Sequence, residues 1–429
     1  MTILDNISRA FKYKNYRQYF FWQFISFIGT WIQGTAQSWL IYRLTGSAFF
    51  LGLVGFAGSL PSLLFSPVSG IASDHFKRKN ILLTTQILCL IQGIILVALF
   101  YSGTINKWHI LILAVFIGVA NAFDVTARQS FIPLLVEKKD LLNAIALNSS
   151  MFNAARIIGP GIAGILISSM SEGFCFLLNA ISYLPIIIFL SFIKTNEQLI
   201  KKTSSPILNL KEGVYFAWNN KPIRSLLLLI GTVSFWGMSF ATLMPIFSDQ
   251  ILKSGSKGLG ILMGFSGIGA VTGGLFLASR QKVLGIKKII ATCTILFSIC
   301  LITFSLSRYF ILSAFLLTIT GFCFMIINSG SNTAMQAMSP DYIRGRIIGL
   351  YTTMFMGMFP LGSLTIGFLA NRFTPSIAVL IGASICLISG VYFCLQIPTL
   401  TIDAKKLLDK EEKEENAECR IQREELLGK

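Results

Sequence analysis

Long apolar segments separated by short polar turns make up most of the chain as far as residue 398. Each segment is about 20 residues long, the length that a helix needs to cross a bilayer core roughly 30 Å thick. Twelve such segments can be delimited, so the pattern predicts an all-α membrane protein with twelve transmembrane helices. The predicted spans are 18–42, 49–73, 80–102, 108–131, 143–169, 174–193, 223–249, 257–279, 286–306, 309–338, 344–370 and 374–397.

Composition and charge agree with this interpretation. Hydrophobic residues make up 54% of the chain and charged residues only 13%. The net charge of +17 alone would suggest a nucleic-acid partner, but most of the 36 Lys and Arg residues lie in alternate turns and near the chain ends. Because basic residues collect on the cytoplasmic side of membrane proteins, we expect both termini to be cytoplasmic. The expected partner is the lipid bilayer, not nucleic acid.

A polar stretch divides the predicted spans into six and six. Within it, residues 207–219 have apolar positions at near-helical spacing, which predicts a short amphipathic helix at the membrane surface. The tail alternates acidic and basic residues and is assigned no chemistry. The predicted parts are an N-terminal six-helix half (1–194), a cytoplasmic linker with the amphipathic helix (195–222), a C-terminal six-helix half (223–398) and a charged cytoplasmic tail (399–429).

The two halves also share residues at a constant separation along the chain. Five residues of the first half recur in the second: Asn121, Thr126, Ala127, Gln129 and Pro133 correspond to Asn328, Thr333, Ala334, Gln336 and Pro340. The shared Ala, Gly and Thr composition of membrane helices would produce some such matches. A repeated six-helix unit is a known transporter arrangement, with the substrate site near the midplane between the repeats. The pattern therefore predicts two pseudo-symmetric halves around a central site.

The turn after the second span has an acid at the helix end followed by bases. It contains Gly70, Asp74, Arg78 and Lys79. An Asp at this position can interact with the N-terminus of a neighbouring helix, while the Arg can pair with a carboxylate. These four residues are candidates for a charge latch between helices. The alternative is that the bases only fix the topology of the turn.

The fourth span contains an acid and a base one helical turn apart. Asp124 and Arg128 lie on the same helix face, with the acid nearer the N-terminus, an order that favours an ion pair. Charged residues inside a span are costly and indicate a functional role. Both residues lie near the cytoplasmic end of the span, where a long Arg side chain can reach the interface. Two interpretations remain open, a gating ion pair and an interfacial anchor.

The fifth span contains a deeply placed arginine beside a helix-bending motif. Arg156 is about 20 Å into the span at 1.5 Å per residue, so it should face protein or an aqueous cavity. Gly159, Pro160 and Gly164 follow it. Proline bends the helix, and small residues permit close helix packing. A kinked packing helix without any role in transport direction is the alternative interpretation.

Polar side chains at helical spacing are candidates for a substrate cavity. Each is about as well explained by a hydrogen bond between helices as by a ligand contact. The candidates are Gln33 and Gln37 on the first span, Asn121 on the fourth, Arg156 on the fifth, Trp236 on the seventh, and Asn328 and Asn332 on the tenth.

The sequence does not contain the motifs that an enzyme active site, a metal site or a nucleotide site would need. There is no HExxH or GxSxG motif and only two histidines, so neither a nucleophile with its base nor a zinc site is indicated. The eight cysteines form no CxxC pair and are interpreted as small hydrophobic residues. The glycine cluster Gly264–Gly274 lacks the Lys-Ser/Thr ending of a phosphate-binding loop. We therefore expect no enzymatic activity, no cofactor and no nucleotide partner.

Two of these motifs resemble signatures of the major facilitator superfamily. The turn 70–79 resembles the loop motif Gly-x-x-x-Asp-Arg-x-Gly-Arg-Lys, with His75 in place of the first Arg and Lys77 in place of the second Gly. The resemblance implies that Asp74 and Arg78 latch the outward-facing state with Asp124 as the acid on the fourth helix. The second-half loop 279–288 keeps basic residues but lacks the Asp. Residues 159–164 resemble the fifth-helix motif Gly-Pro-x-x-Gly-Gly of antiporters, with Ala163 replacing one glycine.

Residues 1–398 as a whole resemble the enterobactin-exporter and macrolide-efflux branch of that superfamily. The supporting phrases are Leu44–Ser47, Ala127–Gln129, Asn143–Asn148, Arg156–Pro160 and Arg344–Arg346. The resemblance implies the twelve-helix facilitator fold in a bacterial inner membrane. It also implies secondary active export of a small organic molecule by proton antiport, driven by the proton-motive force. A siderophore is the preferred cargo; multidrug or macrolide efflux and a lysophospholipid flippase are the alternatives.

Overall fold

A computed structural model describes residues 9–194, 206–280 and 285–398, and the regular secondary structure in these ranges is helical throughout. The tail 399–429 and residues 195–205 of the predicted linker lie outside the described residues. The first half contains α1 (Lys14–Thr45), α2 (Ala48–His75), α3 (Arg78–Tyr101), α4 (Lys107–Phe131), α5 (Leu141–Ser169) and α6 (Glu172–Phe192). The helix α7 (Pro206–Asn219) lies where the amphipathic helix is predicted. The second half contains α8 (Lys221–Ile251), α9 (Gly255–Ala278), α10 (Ile286–Leu306), α11 (Phe310–Ala337), α12 (Asp341–Arg372) and α13 (Pro375–Pro398).

Eleven of these helices are long and apolar enough to cross a membrane in the part of the chain that the structure describes. The first helix, α1, is the exception among the predicted twelve. It contains the polar residues Gln23, Gln33 and Gln37, and all three side chains are buried inside the protein. The polar residues of α1 therefore face other helices, and its role as a twelfth span stays a prediction.

The seventh span is irregular, although the sequence predicts one continuous helix. Regular α-helix ends at Thr232 and is followed by a π-helical turn at Val233–Gly237 and 3-10 turns at Met238–Leu243. A second π-helical turn lies at Phe247–Ile251. Pro245 contributes to this irregularity because it has no backbone N–H for the helical ladder. Such π-turns occur often at functional sites.

The two halves are packed together at one end of the bundle. We call the end that bears α7 the linker end and the other the opposite end. Toward the opposite end a continuous apolar core contains residues of both halves, such as Leu40 and Leu51 with Phe247 and Leu259. At the linker end the first half has a separate core built from its own residues, including Tyr16 and Phe131. The bundle is therefore closed at the opposite end and divided at the linker end.

Small residues make the closure between halves possible. A Cβ at Gly260 of α9 would lie 2.6 Å from the Pro160 carbonyl oxygen and 2.9 Å from the Gly164 Cα on α5. A Cβ at Gly367 of α12 would lie 2.9 Å from the Gly52 Cα on α2. Each half thus contributes one helix to each of two close crossings, the backbone approach that small residues allow in membranes.

Candidate functional site

A buried cluster of polar side chains surrounds Asp124 inside the first half. Thr85 Oγ1 and Gln86 Nε2, both on α3, donate to Asp124 Oδ1 at 3.0 and 2.8 Å. Arg128 on α4 forms an ion pair with the other carboxylate oxygen. Ser26 on α1 donates to Gln86 at 3.3 Å. The cluster therefore ties α1, α3 and α4 together around one carboxylate.

Arg128 is buried as deeply as its partner. Only 8% of Arg128 and 4% of Asp124 is exposed, and the guanidinium carbon lies 4.3 Å from the centroid of the Phe27 ring. Its Nε and Nη1 atoms are buried without a hydrogen-bond partner in the described ranges. Asp124 and Arg128 therefore form a buried ion pair, and a role in gating or in anchoring stays a prediction. The pair lies within one half and does not bridge the two.

The predicted latch residues surround the turn between α2 and α3. Gly70 is partly buried on α2, and Asp74 belongs to its last turn, with a side chain outside the described residues. Lys79 Nζ donates to the carbonyl oxygen of Ile193 at 2.7 Å, which joins the start of α3 to the end of α6. Arg78 begins α3, about 10 Å along the helix from Thr85, which contacts Asp124. The role of these residues as a latch stays a prediction.

The fifth-helix motif packs against both halves. Gly159 faces α1, where an added Cβ would contact Trp31 and lie 3.1 Å from the Ile28 carbonyl oxygen. Gly164 faces α9, where an added Cβ would lie 2.9 Å from the Gly260 Cα. Pro160 is accommodated inside α5. The motif therefore forms the junction between the first half and α9.

Arg156 lies on α5 at the boundary between the halves. It is only partly exposed, and its guanidinium carbon lies 5.9 Å from the centroid of the Phe324 ring on α11. Both residues lie about 20 Å from the linker-end terminus of their helices at 1.5 Å per residue. The predicted deep position of Arg156 thus corresponds to a contact across the two halves at mid-depth.

The predicted cavity residues differ in their burial and in their contacts. Gln33 packs within the first half, where it donates to Gln92 at 2.9 Å and accepts from Asn179 at 2.8 Å. Trp236 packs within the second half, against Gly382 of α13. Gln37 is buried, and Asn121 is partly buried on α4. Asn328 and Asn332 occupy the linker-end half of α11, where they accept hydrogen bonds from Tyr351 and Gln336, respectively.

A row of aromatic rings in the second half was not predicted from the sequence. The Phe324 centroid lies 6.3 Å from that of Phe297 and 6.1 Å from that of Phe355. Tyr351 stacks on Phe355 at 6.2 Å. With 36 phenylalanines in the chain, no spacing singles these rings out, and only the packing of α10, α11 and α12 brings them together.

The closed end is joined by hydrogen bonds between the halves. Tyr42 of α1 donates to the Asp249 carboxylate of α8 at 2.6 Å. Ser47 donates to Asn371 of α12 at 3.2 Å. The sequence contains no signal for either bond, because the partners lie in different halves and outside the repeated motifs.

Substituting Tyr42 with phenylalanine is expected to weaken the closed end. One hydrogen bond to a charged acceptor at an accessible site is worth about 1 kcal/mol, so the state open at the opposite end should rise about fivefold. Labelling of an Ala36→Cys variant by a membrane-impermeant maleimide added at the opposite end reports this change, because Ala36 is fully buried in the shared core. Tyr309→Phe, an exposed position at the same end, is the matched control. Equal labelling rates in the two variants would mean that the Tyr42–Asp249 bond does not hold the end closed.

A family model matches almost the whole chain. The model for transmembrane secretion effectors covers residues 9–424. The staphyloferrin A transporter of Staphylococcus aureus is 26% identical over 380 residues, 88% of this chain and 95% of that protein. The multidrug efflux pump Tap of Mycolicibacterium fortuitum is 26% identical over 80% of this chain and 86% of that protein. Macrolide efflux protein A of Streptococcus pyogenes is 23% identical over 84% of this chain and 91% of that protein.

Solved structures with the same fold are also transporters. The nucleoside transporter NupG superposes with a TM-score of 0.69 at 15% identity, covering 89% of this chain and 99% of that chain. The second is a bacterial homologue of the human lysosomal transporter Spinster, solved in an inward-facing and unoccupied conformation. It superposes with a TM-score of 0.67 at 14% identity, covering 92% of this chain and 97% of that chain. These similarities confirm the predicted all-α facilitator fold.

Proposed function

Because the chain belongs to the transmembrane secretion effector family of the major facilitator superfamily, we propose that it is a secondary active exporter of a small organic molecule. The proposed location is a bacterial cytoplasmic membrane, with both termini in the cytoplasm. A siderophore is the preferred cargo, a choice supported by the similarity to the staphyloferrin A transporter along 95% of that protein's length. Multidrug or macrolide efflux is the second candidate, supported by the similarity to Tap and to macrolide efflux protein A.

The observation that supports export by alternating access is the uneven packing of the two halves. They share one apolar core toward the opposite end, whereas the first half has its own core at the linker end. The cargo would enter between the halves from the linker end and reach Arg156 at mid-depth. The halves would then close at the linker end and separate where Gly164 meets Gly260.

Proton antiport is the proposed driving mechanism, with Asp124 as the proton carrier. Asp124 is the buried acid of α4, and its carboxylate holds Arg128 and the α3 side chains Thr85 and Gln86. Protonation of Asp124 would remove the negative charge opposite Arg128. The helices α1, α3 and α4, which the cluster around this carboxylate joins, would then repack, and this supplies a route from proton binding to movement within the first half. No cofactor is required by this scheme.

Secretion of iron chelator by an iron-starved deletion strain tests the preferred cargo. Complementation with the wild-type gene should restore secretion, whereas Arg156→Ala should leave chelator inside the cell. Gly161→Ala is the matched control on the same helix, because a Cβ there has no neighbouring atom within 4 Å. Unchanged secretion in the deletion strain would exclude the siderophore. In that case the susceptibility of the same strains to macrolides tests the second candidate.

A further inference from the structure

Arg156 is a cation at the centre of the protein, and the described part of the chain supplies no counterion to it. Neither an ion pair nor a hydrogen bond to its guanidinium occurs among residues 9–194, 206–280 and 285–398. A charge at mid-depth in a membrane protein is costly unless it is paired or faces water. The residue is partly accessible, so an anion that enters between the halves can reach it.

Other arginines of the same protein show what is missing at this position. Arg128 has Asp124 within its own half, and Arg43 pairs with Glu172 at 2.9 Å near the opposite end. Arg346 pairs with Glu212 of α7 at the linker end. In each case the protein supplies the carboxylate. Among the residues that the structure describes, Arg156 has an aromatic ring and no carboxylate as its partner, so a carboxylate from elsewhere would complete the arrangement.

The contact with Phe324 leaves the guanidinium able to bind such a group. The guanidinium carbon lies 5.9 Å from the Phe324 ring centroid, and this cation–π contact leaves the N–H groups free to donate hydrogen bonds. Those N–H groups match the two oxygens of a carboxylate. Phe324 in turn packs against Phe297 and Phe355, and these contacts restrict the position of its ring. Arg156 therefore places a set of N–H donors at the boundary between the two halves.

We propose that Arg156, supported by Phe324, is an anion subsite that binds a carboxylate of an organic anion. The inference rests on the proposed export function and narrows its cargo to anionic molecules. Arg156 lies on α5 and Phe324 on α11, so a bound carboxylate neutralises the charge where the halves must move past one another. An organic anion is therefore bound in preference to a cation of the same size and shape.

Binding of two related dyes to the full-length protein in nanodiscs tests this subsite. Fluorescein and rhodamine 123 share the xanthene skeleton, but the first is an anion and the second a cation at neutral pH. Fluorescence anisotropy without any ion gradient should show fluorescein bound at least about tenfold more tightly by the wild type. Arg156→Gln should weaken fluorescein binding about tenfold or more and leave rhodamine 123 within about twofold. Arg156→Lys should keep the preference but lose severalfold in affinity, because it cannot form the bidentate contact.

The proposal is overturned if the wild type does not bind fluorescein or prefers rhodamine 123. It is also overturned if Arg156→Gln binds fluorescein like the wild type. Size-exclusion chromatography shows whether each variant is folded. If Arg156→Gln is misfolded, the test rests on Arg156→Lys, and a fluorescein affinity of that variant equal to the wild type would overturn the proposal. Gly161→Ala should behave as wild type. Arg156-dependent binding without export in energised vesicles would refute the proposed function alone, whereas export with binding independent of Arg156 would refute the subsite alone.

Discussion

Substituting Asp124 with alanine is expected to destabilise the protein by about 3–5 kcal/mol, because the change leaves Arg128 buried without its counterion. The same change removes the acceptor for Thr85 and Gln86, whose side chains would remain buried. The effect should appear as a lower midpoint of heat-induced loss of the monodisperse peak in size-exclusion chromatography. Export should fall with the amount of folded protein.

Three further variants separate charge from packing at this site. Val125→Ala, at the exposed neighbouring position, should change stability little. Asp124→Ala combined with Arg128→Leu should recover part of the loss, because no unpaired charge is then buried. Asp124→Asn should retain more stability but lose proton-coupled export if Asp124 is the proton carrier. An Asp124→Ala protein as stable as the Val125→Ala protein would show that the polar cluster around Asp124 does not hold α1, α3 and α4 together.

Substituting Gly260 with valine is expected to reduce export at least about tenfold while leaving each half folded. The new Cβ would meet the backbone of Pro160 and Gly164 at 2.6 and 2.9 Å. Backbone atoms cannot turn away as side chains do, so the two halves must separate at this crossing. The protein should then favour the state open at the opposite end, and the rate of export in energised vesicles measures the consequence.

Gly264→Val is the matched control for this prediction. Gly264 lies one turn further along α9, and a Cβ there has no neighbouring atom within 4 Å. Its export rate should stay near that of the wild type. Equal export by the two variants would mean that close packing of α5 on α9 is not part of the transport cycle.

The helices and their grouping into halves could be predicted from the sequence because both depend on local patterns. Apolar length defines the spans, and the polar stretch before α7 separates the halves. The depth of Arg156 follows from its place in its span. Irregular turns within α8 could not be predicted in the same way, because packing against α10, α12 and α13 decides whether the π-turn at Val233–Gly237 is tolerated.

The partners of the candidate residues depend on contacts distant in sequence. Asp124 and Arg128 are one turn apart, so their pairing could be anticipated, but Thr85 and Gln86 reach them from another helix. Gln33 was a cavity candidate because it is polar and at helical spacing. The structure assigns it to a buried network with Gln92 and Asn179. Polarity alone does not distinguish a ligand contact from a hydrogen bond between helices.

Alternating access requires the two ends of the bundle to open in turn, and paired distances at both ends measure whether they do. In a variant without its eight native cysteines, one spin-label pair would be placed at Gly70 and Gly349, where added side chains have room. A second pair would be placed at the exposed residues Leu44 and Phe373 of the opposite end. Double electron–electron resonance in proteoliposomes then measures both distances, with and without a proton gradient.

Alternating access predicts two populations that change in opposite directions. The first population has a long distance at the linker end and a short one at the opposite end, and the second has the reverse. A proton gradient should shift the balance between them, and Gly260→Val should favour the second. A single unchanging distance at each end, or distances that lengthen and shorten together, would contradict alternating access between the two halves.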